Sequence, residues 1–191
     1  MVGGKIMNIL LLGGIGSGKS EALKILKEEH GANIIEADKV AHFLYEKDRA
    51  GYTALKSLFG DIILDNKKDI DRKKLGDILY YDKDKLHKVD EIIHPLVNAE
   101  IKRRLSDSRL NVVEQALMPD ENFYDSVWYL YTDREIRIKR LMSSRGLSRE
   151  RIETIISKQP NESDFESVAD KIIKNNGDRF ELEKNIREAL R

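Results

Sequence analysis

The chain contains no cysteine, which excludes disulfides, thiolate zinc sites and a cysteine nucleophile. It also has no excess of either charge. The 34 Lys and Arg balance 34 Asp and Glu, so no overall field draws the protein to nucleic acid or to a membrane. Basic runs such as Lys67-Lys68, Arg72-Lys73-Lys74 and Arg103-Arg104 are interleaved with acids and read as solvated faces. No apolar run is long enough to cross a bilayer. Met1 to Asn8 lacks the long apolar core of a signal peptide, so a cytoplasmic protein is expected. Internal repeats and low-complexity segments are missing too. What remains is 191 residues, enough for one well-buried α/β core with a small helical subdomain.

One stretch organises the chain. Ile9-Leu10-Leu11-Leu12 has the length and character of a buried parallel strand. Gly13-x-x-x-x-Gly18-Lys19-Ser20 follows, the phosphate-binding loop pattern, and Glu21 to Glu29 behind it carries Ala22, Leu23, Ile25 and Leu26 at helical spacing. A triphosphate concentrates negative charge, and successive backbone N–H groups converge on it only if the loop curls tightly. The glycines at 13, 14, 16 and 18, with Ile15 and Ser17 between them, permit that curl. The helix start adds its positive end. Lys19 is expected to reach the β- and γ-phosphates, and the Ser20 hydroxyl to ligate Mg2+.

The rest of the chain alternates strands and helices. Asn33 to Asp38 reads as a second strand after a helix end at Gly31. Asp38 therefore stands either at a strand's carboxyl end, where ligands collect, or as the N-cap of a helix from Lys39 to Glu46. Helices are expected at Tyr52 to Phe59 and after an Asp71 cap, with a turn or hairpin at Asp61 to Lys68 between them. A long helical pattern from Leu86 to Leu105 is interrupted at Pro95, which predicts a kink or restart beside His94. Residue position alone favours a packed polar role for His94 over a substrate contact. Strands are read at Leu110 to Ala116, Ser126 to Thr132 and Ala169 to Lys174, with a loop at Met118 to Asn122 after the first of these. Helices are read at Arg134 to Ser144, from a Ser148 cap to Pro160, and at Arg179 to Leu190.

This order implies a three-layer α/β/α fold with a five-stranded parallel sheet. Its core is expected at 5–60, 106–142 and 164–191, with a helical substrate-binding insertion at about 61–105 and a lid at about 143–163. Two segments imitate a guanine-reading switch, Asn66-Lys67-Lys68-Asp69 and Asp48-Arg49-Ala50-Gly51. Neither follows a strand, and they lie too close together for that use. A motor's second metal-holding strand is matched only by Val112-Val113-Glu114, and weakly. The arginines around the late turn, Arg137, Arg140 and Arg145 with Arg149 and Arg151, favour phosphoryl transfer, because a lid arginine both neutralises charge and excludes water. Arg149 and Arg151 read as surface, Arg140 as functional.

With these residues in place the chain resembles the dephospho-CoA kinases. The likeness is carried by Gly13 to Ser20, Glu36 to His42 (EADKVAH), Leu58-Phe59-Gly60, Asp71-Arg72 with Leu75-Gly76, and Ile93 to Val97 (IHPLV). Arg140-Leu141, Gln159 and the stretch Ala169 to Gly177 complete it. The resemblance implies ATP and dephospho-CoA as partners, Mg2+ with the ATP, and phosphorylation of the ribose 3′-hydroxyl by a monomer or weak homo-oligomer. It implies that Asp38 accepts or orients the hydroxyl, Arg140 lies over the phosphates, and Asn175 to Gly177 border the adenine. Arg72 and His94 fall on the CoA side, and Arg137 among the ATP-binding residues. The chain departs from the family at Glu36 (usually Asp), Glu21 (usually Thr), Ala116-Leu117-Met118 (usually Pro-Leu-Leu) and Arg137 (usually Gln). The second lid arginine is Arg145 rather than residue 144, and reaches the site only if its helix ends near Ser144. Two other readings stay open, a kinase for another nucleoside or nucleotide acceptor and a non-catalytic ATP-binding regulator.

Overall fold

A computed structural model describes residues 6–107, 109–115 and 123–191. The loop expected at Met118 to Asn122 and the Ala116-Leu117-Met118 stretch lie outside them. The elements run β1 (Asn8–Leu12), α1 (Lys19–His30), β2 (Asn33–Glu36), α2 (Ala37–Leu44), α3 (Ala50–Phe59), α4 (Arg72–Tyr81) and α5 (Lys83–Arg104). After them come β3 (Asn111–Glu114), β4 (Ser126–Tyr131), α6 (Arg134–Arg145), α7 (Arg149–Ile156), α8 (Glu162–Val168), β5 (Lys171–Lys174) and α9 (Arg179–Ala189). Of the described residues, those up to Ile35 and from Leu105 onward form one compact unit, and Glu36–Arg104 form a second.

The sheet of the first unit has the order β2-β3-β1-β4-β5 and is parallel. Leu11 stands opposite both Glu114 and Trp128, so β1 and β3 end within one residue of each other and β4 extends beyond them to Tyr131. One face buries Ile9, Leu11, Val112, Trp128, Leu130 and Ile173 under α1 and α9. On β4 the next residue, Tyr129, stacks on Phe165 of α8 with ring centroids 5.0 Å apart, so a second helical layer covers the opposite face. At the amino ends, fully buried Asn111 joins three strands. Its Nδ2 donates to Asn8 Oδ1 at 2.9 Å, and its Oδ1 accepts from Asn33 Nδ2 at 2.8 Å. One end of the sheet is thus fixed by side-chain bonds, and the loops at the other end are left for chemistry.

Two local expectations are corrected. β2 stops at Glu36, and Ala37-Asp38-Lys39-Val40 already forms the first turn of α2. Asp38 is therefore neither a strand end nor the N-cap, a position held by Glu36 without a side-chain cap bond. Its negative charge in the first turn suits the helix dipole. Nor does a helix restart at Pro95, which lies inside the continuous α5. A mid-helix proline costs about 3 kcal/mol. Burial of Val89, Ile93 and Ile101 along the same helix, at about 1.5–3 kcal/mol each, outweighs that cost.

In the second unit, Leu64 pairs with Ile70 in an antiparallel bridge, so the expected turn is a small hairpin. Asn66-Lys67-Lys68-Asp69 forms its tip, where Asp65 Oδ1 accepts from the backbone of Lys67 and Asp69. That placement fits a surface turn. Asp71 caps α4 as expected, its side chain accepting from the Lys73 and Lys74 N–H groups.

Candidate active site

Between β1 and α1 the glycine loop turns with φ of 78° at Gly16 and 94° at Gly18, the left-handed region that side chains avoid. Gly18 is constrained twice, because Asn175 Nδ2 also occupies the place a Cβ would take. The Glu21 and Ala22 N–H groups bond the Gly18 carbonyl at 3.0 and 3.1 Å. The N–H groups ahead of them have no partner within the helix and form its anion-accepting end.

Other elements hold this loop from several sides. The Ser17 carbonyl accepts from Asn175 Nδ2 at 2.7 Å and from Thr132 Oγ1 at 3.0 Å, joining the loop to the ends of β5 and β4. The Lys19 ammonium donates to the Gly13 carbonyl at 2.6 Å and lies 3.5 Å from a Glu114 carboxylate oxygen at the end of β3. Glu114, only a weak match to a metal-holding acid in the sequence, is thus brought beside the loop lysine. Arg140 Nη2 reaches the Gly177 carbonyl at 3.3 Å, so α6 meets the Asn175 to Gly177 turn.

Two polar atoms here are buried without a hydrogen-bond partner, Ser17 Oγ and Arg140 Nη1. A buried guanidinium nitrogen left unpaired is costly, and an anion seated in the loop would satisfy it. A Cβ on Gly18 would lie 3.7 Å from that same nitrogen, so the orphaned donor is aimed at the loop. The donor set fits a triphosphate with Mg2+. Ser20, exposed in the first turn of α1, offers the hard hydroxyl oxygen that Mg2+ takes.

Arg137 and Arg145 complete the expected set on α6. Arg137 is 5% exposed and packs against Gly14. Burial pulls its guanidinium below the usual arginine value, while Tyr129 and Glu162 act in the opposite sense. Arg145 is the last residue of α6, whose end is closed by Gly146 in a left-handed conformation. The helix therefore continues past Ser144, and Arg145 is exposed about 100° around the axis from it.

Asp38, Arg72 and His94 lie in the second unit and share a neighbourhood there. Asp38, His42 and Tyr45 follow one another at i, i+4 and i+7 along one side of α2 and its C-cap. Arg72 Nη1 is 3.0 Å from His42 Nε2, and both line a cavity of about 430 Å3 with Tyr45, Asp69 and Ile70. Burial, followed by the carboxylates of Asp90 and Asp38, raises the Tyr45 hydroxyl above its ordinary value and keeps it a donor. His94 Nε2 lies 3.7 Å from Asp90 Oδ1 on α5, which packs on α2. The sequence reading missed Tyr45. The helical spacing from Asp38 was its one available signal.

Among the described residues, no group of three or more His, Asp or Glu side chains could hold a metal alone, and no helix is long and apolar enough to cross a membrane. Residues 7–181 match the family model of dephospho-CoA kinase. Dephospho-CoA kinase from Lactobacillus johnsonii is 35% identical over 188 residues, covering 94% of each chain. The enzyme of that name from Aquifex aeolicus is 34% identical, over 93% of this chain and 92% of its own. The solved dephospho-CoA kinase from Campylobacter jejuni superposes with a TM-score of 0.64 at 25% identity, over 96% of this chain and 95% of its own. A Bacteroides thetaiotaomicron shikimate kinase shares the fold at a TM-score of 0.58 and 14% identity, over 97% and 96% of the two chains. The chain belongs to the dephospho-CoA kinase family.

Proposed function

We infer that this chain transfers the γ-phosphoryl group of ATP to dephospho-CoA, giving CoA and ADP. The observation that carries this reading within the family is the braced phosphate loop with Arg140 Nη1 buried beside it and unpaired. In the reaction the ribose 3′-hydroxyl oxygen bonds to the γ-phosphorus as the bond to the β,γ-bridging oxygen breaks, and the hydroxyl proton passes to the Asp38 carboxylate. A loose transition state needs little deprotonation of the hydroxyl, so Asp38 acts chiefly by orienting it. Lys19 and Arg140 neutralise charge on the phosphates, and Asn175 and Gly177 border the base. Mg2+, held through Ser20, supplies further neutralisation on the phosphate oxygens when it accompanies ATP.

Arg72, His94 and the cavity beside His42 and Tyr45 serve the acceptor side. In this reading the helical segment 61–105 binds the acceptor and 143–163 acts as a lid, in a cytoplasmic monomer or weak homo-oligomer. The test is ADP release with ATP and Mg2+, with and without dephospho-CoA, and with GTP replacing ATP. Release that requires dephospho-CoA and prefers ATP is expected. ATP binding without any dependence on that acceptor would overturn the assignment.

A further inference from the structure

The phosphate loop contains one residue, Ile15, whose backbone N–H and carbonyl are both bonded to side chains from far along the sequence. The Ile15 N–H donates to Gln159 Oε1 at 2.9 Å, and the Ile15 carbonyl accepts from Arg137 Nε at 2.8 Å. Arg137 Nη2 closes the ring by donating to the same Gln159 oxygen at 3.3 Å. The Ile15 side chain is seated on the cluster of Ile138, Leu141 and Ile152, which joins α6 to α7.

This ring differs from ordinary loop packing in three ways. A loop peptide surrounded by water is free to flip, whereas here the two peptides flanking Ile15 are each held on one edge, the first by its N–H and the second by its carbonyl, by groups that are themselves restrained. Arg137 is held in the α6 helix and nearly fully buried, and its Nε and Nη2 are committed to Ile15 and Gln159. Its guanidinium also fills the space where Gly14 would carry a side chain, so Gly14 packs against α6 directly. Among the described residues no carboxylate lies within salt-bridge distance of it. A buried cation neutralised by carbonyl and amide oxygens retains its field, and that field reaches the loop.

We propose that Arg137 and Gln159 are positioning residues that hold the backbone on both sides of Ile15 and so keep the phosphate loop in its ATP-accepting form. The assignment rests on the reading of the loop as an ATP site, and it gives Arg137 a role exerted through the loop backbone. Gln159 lies between α7 and α8, so the ring also connects the end of the 143–163 segment to the loop.

The test uses the full chain and two readouts that need no acceptor. They are the ATP dissociation constant from calorimetry and the exchange rate of the Ile15 amide hydrogen in nucleotide-free protein. Gln159→Leu should accelerate Ile15 exchange and weaken ATP binding about three- to tenfold, and Arg137→Met should weaken it about 10- to 100-fold. Because the two residues act as one unit, the double variant should lose less than the product of the single losses. Arg137→Gln, whose amide can still donate to the Ile15 carbonyl, should recover most of the affinity. Wild-type exchange and affinity in Gln159→Leu, with a loss confined to Arg137→Met, would overturn the proposal in favour of direct phosphate contact. If Arg137→Met fails to fold, Gln159→Leu alone decides. Wild-type protein that binds ATP without phosphorylating dephospho-CoA would remove the kinase reading and leave this test intact, whereas failure to bind ATP would end both.

Discussion

The phosphate loop and the acidic side of α2 are built on opposite plans. Around the loop, backbone groups are bonded inward to Asn175, Thr132, Gln159 and Arg137, so the protein's own side chains hold its shape. On α2, Asp38 and His42 are exposed, and only Tyr45 among that trio is drawn into packing. The contrast teaches where each kind of selectivity resides. A rigid cradle suits a phosphate chain, whose geometry never varies, and in the proposed reaction the open face around Asp38 would suit an acceptor that must bring one hydroxyl into line.

The comparison can be broken most directly at Asp38. Asp38→Asn keeps the shape but removes the charge that orients the hydroxyl and takes its proton, and it should lower kcat by about 10²- to 10⁴-fold while ATP affinity stays near wild type. Steady-state kinetics beside calorimetry read this. An equal loss of ATP binding would mean the two regions are not separable, and full activity would remove Asp38 from the mechanism. A smaller effect is expected from Gly14→Ala, because the new methyl meets the Arg137 guanidinium. Overpacking of this kind costs about 1–3 kcal/mol, seen as a lower Tm together with weaker ATP binding. An unchanged Tm would show that α6 yields more easily than its packing suggests.

The smallest effect lies in the second unit, at Glu100. Hydrogen bonds from Arg103 and then Arg104 hold its carboxyl at about 2, well below the ordinary 4.5, against the opposing effect of burial. A depressed acid stabilises the fold fully above its unfolded value and loses that contribution as pH falls toward its folded one. The stability difference between wild type and Glu100→Gln, from urea titrations, should therefore be constant near neutrality and shrink between about pH 4.5 and pH 2. A difference that persists to the acid end would assign Glu100 a packing role instead.

Much of the first unit was legible in the sequence because its signals are local. The strand, glycine loop and helix from Ile9 to Glu29 follow from consecutive residues, as do the Ser148 cap and, in the second unit, the Asp71 cap. Helix α8 was missed although Asn161 and Asp164 form a capping box, because its 7 residues are too short for a clear period. The β2–α2 boundary was misplaced by two residues, since Ala37-Asp38 is compatible with either state until Val40 is buried. Of the kink or restart expected at Pro95, the restart is absent because α5 runs unbroken through it, its burial offsetting the local cost. The tie from Ile15 to Gln159 spans 144 residues, and no spacing within a helix or strand encodes a contact made only once the sheet has formed.

Lys19 has a consequence for what the loop admits. Its ammonium is engaged with the Gly13 carbonyl and with Glu114. An incoming anion must outcompete that internal pairing, so binding is an exchange whose gain grows with the charge delivered to the lysine. The Lys19 contacts with Gly13 and Glu114 are thus a cost common to every anion, and one that weighs least on ligands bringing several charges to the lysine at once.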